Sequence, residues 1–460
     1  ETPRCKQPGL PDRAPSPRGD SRPRKTQART SAMTRYTAAT LLLLALAIPA
    51  EANIFQAIAS KITGGGGAKS YVAPSTVLKA KKSFVDKFGE DPKHVFSAPG
   101  RVNLIGEHTD YNDGFVMPCA INHHAVAVFT PTDDDEIVCV SADMKSECKF
   151  SLKEPIKPAT EKELFWSNYV KGVAKILIEE KGCKLKGCKI AFAGDVPQGA
   201  GLSSSAALEV VIGTAFNHMN NLGFGPKEVA RIGQSAEHWV GCNCGIMDQL
   251  ISACGKNDHA LMIDCRDLST NMVKIPKGFS VVIVNSNFKH ALAGLDSEYN
   301  QRRSQCENAA RHFGVTALRD VSVAELLKAE KELDDKTFRR ARHVVTENDR
   351  VNAARKAMQS GDMKTMGRLM KESHDSMRDD FEITVPPIDA LVEIIGKVVG
   401  TEGGVRMTGG GFGGSVVCLA PDSKVEAIRA AVEKEYPAKS GGLKAGILVC
   451  HPSDGARLMP

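Results

Sequence analysis

The sequence predicts an α+β fold in two domains that join near residue 276, and three observations carry that prediction. At 460 residues, 42% hydrophobic and 25% charged, the chain has an ordinary globular composition and the length for two full-sized cores. Runs with the two-residue period of strands and runs with the 3.6-residue period of helices mingle without a strict βαβ rhythm. No stretch repeats itself at a fixed period, which excludes a repeat architecture. The expected domains are residues 73–275 and 276–460.

Residues 1–72 are expected to form a disordered tail with a linker. Residues 1–32 lack Met and are crowded with Pro, Arg and Ser, so they cannot build a core; they are expected to be translated upstream sequence. From Met33, "MTRYTAATLLLLALAIPAEA" has one Arg, an apolar run over 41–48 and an A-x-A ending at Ala52, the layout of a signal peptide over 33–52. The run is too short to span a bilayer. No N-x-S/T sequon occurs in the chain, which weighs against passage through a glycosylating compartment. "ASKITGGGGAKS" then reads as a flexible linker. It is not a P-loop, because Ala68 stands where that motif needs Gly before the Lys.

Charge and cysteine content exclude other classes. The formal charge is +6, and the nine basic and three acidic residues among the first 35 account for all of it. The rest is neutral, so no broad basic face for nucleic acid is expected. Thirteen cysteines include no C-x-x-C pair, so structural zinc is not expected. They read as small buried hydrophobes in a reducing compartment.

The elements of the first domain follow in order. "HVFSAPGRVNLIGEHTDYNDGFVMPCAINHHAVAVFTP" holds two β-type runs around a polar loop, and "EIVCVSAD" is a further strand. A helix covers 166–180, "GCKIAFAGDVP" is a strand with a turn, and another helix starts in the serine run. "GPKEVARIGQSAEHWVG" is helical by its apolar spacing and "HALMIDC" is a strand. The second domain opens with strand "FSVVIVNSN" and is helix-rich from about Asp296 to Arg378. It closes with strands "GGVRMTGGG" and "SVVCLAP", helix "SKVEAIRAAVEKEY" and strand "KAGILVC".

Four stretches concentrate chemistry. In "GDVPQGAGLSSSAALEV" small residues and a turn precede strong helix formers. Glycines let backbone approach a ligand, the first N–H groups of a helix lack partners, and the helix dipole adds positive charge there. That combination holds phosphate without a lysine, and the serine hydroxyls add donors and a Mg²⁺ ligand. An N-cap alone needs only one Ser. "MTGGGFGGSVVCL" formally contains G-x-G-x-x-G, but a β-type run follows it, so it is not dinucleotide-binding. Five glycines exceed what a hairpin needs and point to close approach to a ligand or another loop. The loop "APGRVNLIGEHTDYNDG" brings Arg101, Glu107, His108, Asp110 and Asp113 together between apolar strands, a mixture suited to sugar hydroxyls and a phosphoryl group. "CNCGIMDQLIS" sets Asp248 among small and apolar residues, where an unpaired carboxylate is costly.

Together these stretches resemble the galactokinases of the GHMP small-molecule kinase superfamily, from about residue 90 to the carboxyl end. "GRVNLIGEHTDYNDG" is similar to that family's galactose-recognition signature, "PQGAGLSSSAA" to its ATP loop, "CGIMDQ" to its catalytic segment and "MTGGGFGG" to its third motif. "NYVKGV", "IDCRDL", "RRSQCENAAR", "RRARHVVTEN" and "LMKESHDSMRDDFEIT" support the resemblance. It implies the two-domain GHMP architecture with the active site in the cleft between domains. It also implies ATP-dependent phosphorylation of the anomeric hydroxyl of α-D-galactose, with ATP and Mg²⁺ as cofactors. Asp248 would be the catalytic base and Arg101 its partner. Glu107, His108, Asp110, Gly245 and Tyr299 would hold the sugar. Gly199, Gly201, Ser203 and Ser204 would line the phosphates, Ser205 and Glu237 would hold Mg²⁺, and Trp166 would flank the adenine. A monomer in the cytoplasm is implied, without nucleic-acid partners or stable membrane insertion; the signal-like segment points instead to an organelle such as a plastid, or to the secretory pathway. Alternative readings are an N-acetylgalactosamine kinase and a non-catalytic sugar sensor. The departures are Ala200 within the glycine loop and residues 1–72, which have no counterpart in ordinary galactokinases.

Overall fold

The computed structural model describes residues 72–288 and 298–460, which fall in one compact unit. The expectations for the tail, signal peptide and linker lie outside the described residues. Strands β1 (His94–Asn103), β3 (Pro118–Pro131), β4 (Glu136–Ser141), β5 (Ser146–Ser151), β6 (Cys188–Gly194) and β13 (Arg457–Leu458) form a six-stranded sheet in the order β13-β1-β3-β6-β4-β5. Only β4 and β6 run parallel. The helix Pro74–Phe88, with Pro in its first turn and Gly89 in the left-handed region at its end, packs Val77, Ala80 and Phe84 on one face of this sheet against Val126, Val128, Ala191 and Ala193. Helices Ser167–Lys175, Ser204–Met219, Pro226–Val240 and Met247–Cys254 build the large core that also holds Phe96, Phe129 and Ile190. Covered in this way, β1 and β3 are buried nearly throughout, and polar side chains such as Arg101 and Asn103 are buried with them.

A three-stranded sheet, β2 (Phe115–Val116), β7 (His259–Asp264) and β8 (Thr270–Lys274), follows. An antiparallel four-stranded sheet joins β9 (Phe279–Asn285), β10 (Gly404–Thr408), β11 (Ser415–Pro421) and β12 (Gly446–Cys450) in the order β10-β11-β9-β12. A second core packs this sheet against helices Pro386–Val399 and Val425–Lys439 and the surrounding helical region. The expected joint near residue 276 falls between β8 and β9, yet β13 returns to pair with β1, so the chain's last strand belongs to the first sheet.

The long helix Asp335–Ser360 is capped by the Asp334 side chain, which accepts from the Thr337 N–H, and stops at Gly361 in the left-handed region. Its buried stripe carries Phe338, Val344, Val345 and Val351 but also Arg340, His343, Glu347 and Asn348. Those buried polar groups bear on the site below.

Among the described residues the strands and helices read from the sequence are present; residues 296–297, the start of the expected helix-rich stretch, lie outside them. The helix expected over 166–180 is α-helical to Lys175 and continues as a π-turn, Ile176–Glu180. Helices Pro74–Phe88, Met247–Cys254 and Pro386–Val399 and strands β5, β8 and β13 were not read from the pattern. Among the described residues no helix is long and apolar enough to cross a membrane.

Candidate active site

The serine run becomes a helix at Ser204, as expected, but the side chain of Ser203, the N-cap residue, makes no capping hydrogen bond. Ser203 sits in the left-handed region (φ 58°), a strained conformation for a non-glycine residue, and its Oγ donates to Asp248 Oδ2 at 2.5 Å. The unpaired N–H groups at the start of the Ser204–Met219 helix remain available to an anion. The second glycine stretch is the turn between β10 and β11, a hairpin by its pairing and also a close contact by its packing. A Cβ on Gly409 would stand 2.8 Å from the Gly201 carbonyl oxygen, so only glycine lets the two loops touch.

β1 brings Arg101 to this loop, and the first turn of the Met247–Cys254 helix brings Asp248. Arg101 Nε donates to Asp248 Oδ1 at 2.7 Å and Nη2 to Oδ2 at 2.8 Å, a two-pronged pair, while Nη1 donates to the Gly201 carbonyl at 2.6 Å. One guanidinium therefore fixes the Asp248 carboxylate relative to the glycine loop. Burial works against the Arg101 charge, but Asp248 and Glu107 outweigh it and raise the Arg101 pKa.

The recognition loop after β1 folds three of its groups inward. Glu107 accepts from Arg406 Nη2 at 2.9 Å in a pair that is almost wholly buried; burial, opposed by Arg406 and Arg101, pushes the carboxyl up to about 7. His108 adopts φ 59° and hydrogen bonds with the Tyr111 hydroxyl at 2.7 Å; burial, then the charge of His343, lowers its pKa to about 3, so the ring is neutral. Asp110 accepts from the Tyr111 N–H at 3.0 Å, and burial and the Asp248 charge raise it to about 6. Gly245 lies against that carboxylate: a Cβ there would meet Asp110 Oδ2 at 2.0 Å. Tyr299 packs its ring 5.0 Å from that of His108. Asp113 is the exception, since it faces Arg266 at 3.3 Å on the surface.

Ser205 Oγ donates to Glu237 Oε1 at 2.8 Å. Burial, then Asp248, raises the Glu237 pKa, so a cation beside it would relieve an existing strain. The donors are a hydroxyl and a carboxylate, hard oxygens that suit Mg²⁺. Among the described residues no group of three or more His, Cys, Asp or Glu is arranged to hold a metal.

Two cavities share Tyr169, Ser204 and Ser205. One, of about 410 Å³, is lined by Trp166, Phe165, Met144 and Leu208 and is mostly apolar, as a flat heteroaromatic ring requires. Trp166 is buried, donates Nε1–H to Ser146 Oγ at 2.7 Å and packs on Phe192, so it serves the core and the cavity wall together. The other, of about 360 Å³, is lined by Arg101, Glu107, His108, Asp110, Asp248 and Tyr299 with Gly199, Gly201, Ser203 and Glu237. An apolar slot thus opens past a helix N-terminus onto a carboxylate-rich chamber walled by both halves of the chain.

Several residues of this arrangement escaped the sequence reading. Glu347 accepts from the Gly106 N–H at 2.9 Å, the Ser373 hydroxyl at 2.6 Å and Arg350 Nε at 2.6 Å, and His343 Nε2 hydrogen bonds to the Glu107 carbonyl at 3.1 Å. Asn348 Oδ1 accepts from the Phe115 N–H at 2.9 Å. The long helix thereby clamps both ends of the recognition loop. Burial pushes the Glu347 carboxyl up, but Arg350, His343 and Arg406 outweigh it and hold it at about 2. Gln249 donates to Glu237 at 2.5 Å and to the fully buried Glu209 at 3.0 Å. The available signal was the placing of Arg340, His343 and Glu347 at core spacing within "RRARHVVTEN".

Comparison with family profiles matches the galactokinase galactose-binding signature over residues 82–131, the GHMP kinases N terminal domain over 168–256 and the GHMP kinases C terminal over 354–438. Among solved structures, Lactococcus lactis galactokinase complexed with galactose is 33% identical, with a TM-score of 0.77, covering 83% of this chain and 100% of that one. Methanococcus jannaschii mevalonate kinase is 18% identical at TM-score 0.56, covering 78% of this chain and 98% of that one. Streptococcus pneumoniae phosphomevalonate kinase in complex with phosphomevalonate and AMPPNP is 11% identical at TM-score 0.54, covering 77% and 99%. These last two share the fold.

Proposed function

The chain belongs to the galactokinase family, and from that premise we propose which of its residues carry the transfer of the ATP γ-phosphoryl group to the anomeric hydroxyl of α-D-galactose. The adenine enters the slot beside Trp166, and the phosphates lie over Gly199, Gly201 and the N–H groups that open the Ser204–Met219 helix. Galactose occupies the chamber among Glu107, His108, Asp110, Gly245 and Tyr299. Neutral His108 can donate or accept there, and ionised Asp110 accepts from sugar hydroxyls.

Phosphoryl transfer has a loose transition state, so alignment and charge neutralisation dominate. Asp248 receives the anomeric hydroxyl's hydrogen bond and then its proton as the oxygen–phosphorus bond forms. Arg101 keeps the carboxylate oriented and lies where charge develops on the transferring group. Ser203 steadies Oδ2. Ser205 and Glu237 would hold Mg²⁺, which when bound supplies charge neutralisation to the phosphate oxygens. We place the reaction in a cytoplasmic monomer, as the family implies.

The observation that carries this reading is the joint grip of Arg101 and Ser203 on Asp248 at the mouth of the serine helix. A coupled ADP-release assay tests it: ADP release that depends on galactose is expected. Release with N-acetylgalactosamine in preference to galactose would reassign the substrate, and binding of sugar and ATP without ADP release would make the protein a sensor.

A further inference from the structure

Two side chains lining the carboxylate-rich chamber have no part in the chemistry above. Cys242 and Cys244 flank Asn243 between the Pro226–Val240 and Met247–Cys254 helices, and both face the cavity that Asp248 and Ser205 line. The Cys244 N–H donates to the Cys242 carbonyl at 2.9 Å, a three-residue turn that draws its two ends together. The Cys244 thiol also donates to Glu237 Oε2 at 3.4 Å. The Cys244 thiol is in hydrogen-bonding contact with that of Cys242 as well.

We propose that Cys242 and Cys244 together form a dithiol modification site within the substrate cavity, and that its reagent is a trivalent organoarsenical, R–As(OH)₂. In the reaction two As–O bonds break and two As–S bonds form; each thiol proton leaves on a departing hydroxyl as water, and arsenic stays trivalent. No oxidant or reductant takes part. Two thiols held on one turn close a ring around a single arsenic, the second As–S bond forming at high effective concentration, whereas reagents that take one thiol at a time gain nothing from the pairing. A bridged arsenic takes the Cys244 hydrogen bond from Glu237 and fills space beside Asp248, so substrate and reagent exclude each other. Only this last step rests on the function proposed above.

A second thiol pair supplies the internal control. Cys139 and Cys148 stand directly opposite each other across β4 and β5, with Cys139 Sγ donating to the Cys148 carbonyl at 3.5 Å. They are buried in the main core, at 0% and 6% exposure, and line neither cavity.

The test treats the full-length enzyme with phenylarsine oxide, follows ADP release and maps the adduct by peptide mass spectrometry. Turnover is expected to be lost, to return with 2,3-dimercaptopropanol but not with an equal thiol concentration of 2-mercaptoethanol, and to be protected by saturating galactose. One arsenic should bridge the peptide holding Cys242 and Cys244, and Cys242→Ser should keep turnover and lose the sensitivity. An adduct on Cys139 and Cys148, reversal by the monothiol, or undiminished sensitivity in Cys242→Ser would overturn the site. A mapped bridge that galactose does not protect would overturn its placement in the substrate cavity. Mapping on the unaltered enzyme decides the bridge whether or not the variant folds and whichever sugar is the substrate.

Discussion

Gly245→Ala isolates the part played by Asp110. The added Cβ would stand 2.0 Å from Asp110 Oδ2 and 2.1 Å from its Cγ, whereas ordinary contact begins at 3.4 Å, so the carboxylate has to withdraw by more than an ångström. A hydrogen bond from a sugar hydroxyl, about 2.7 Å long, does not survive that displacement. One hydrogen bond to a charged group is worth about 1.5–3 kcal/mol, which corresponds to about a 10- to 150-fold rise in the galactose KM. The assay is steady-state ADP release, varying galactose at saturating ATP and then the reverse, with calorimetric melting to separate binding from stability. The galactose constant should rise while the ATP constant stays put. Because Asp110 titrates at about 6, kcat/KM for galactose should fall in the unaltered enzyme as pH drops through that value, and Gly245→Ala should flatten the fall. Gly225→Ala, with nothing within 4 Å of its Cβ position, should leave both constants alone. An unchanged galactose KM in Gly245→Ala, or equal rises for both substrates, would refute the role assigned to Asp110.

Arg101→Lys replaces a two-pronged fork by a point charge, and kcat should fall by about 10²-fold or more with the melting temperature nearly unchanged. Ser205→Ala should raise the Mg²⁺ concentration for half-maximal rate while leaving the galactose KM alone, as a Mg²⁺ titration would read. Glu347 has a folded-state pKa of about 2 against an ordinary 4.5, so its stabilisation is fully present above pH 4.5 and is lost as pH falls towards 2. The full effect is about 3 kcal/mol. Denaturant midpoints of Glu347→Gln should therefore vary less with pH across that window than those of the unaltered protein.

What was legible in the sequence was local. The serine run announces a helix start because glycine, turn and helix formers sit side by side, and the loop containing Glu107, His108 and Asp110 announces itself by charge between apolar strands. Asp248 stood out because a carboxylate among apolar neighbours needs a partner. Contacts between distant residues were not legible. Nothing near Ser203 reveals that its hydroxyl turns away from the helix end to Asp248, 45 residues on. Likewise Glu347 meets the Gly106 N–H across 241 residues, and Arg406 reaches Glu107 across 299. A two-residue strand such as β13 carries too little pattern to be read, and Pro74–Phe88 lies just beyond the glycine linker that drew the reading away from it.

The central claim is that Asp248 serves the transfer step rather than the binding of ATP. Calorimetric titration of Asp248→Asn with ATP, beside its rate of galactose-dependent ADP release, tests it most directly. ATP binding close to that of the unaltered enzyme, with turnover lowered by at least about 10²-fold, is the expected result; turnover near the unaltered rate would contradict the account.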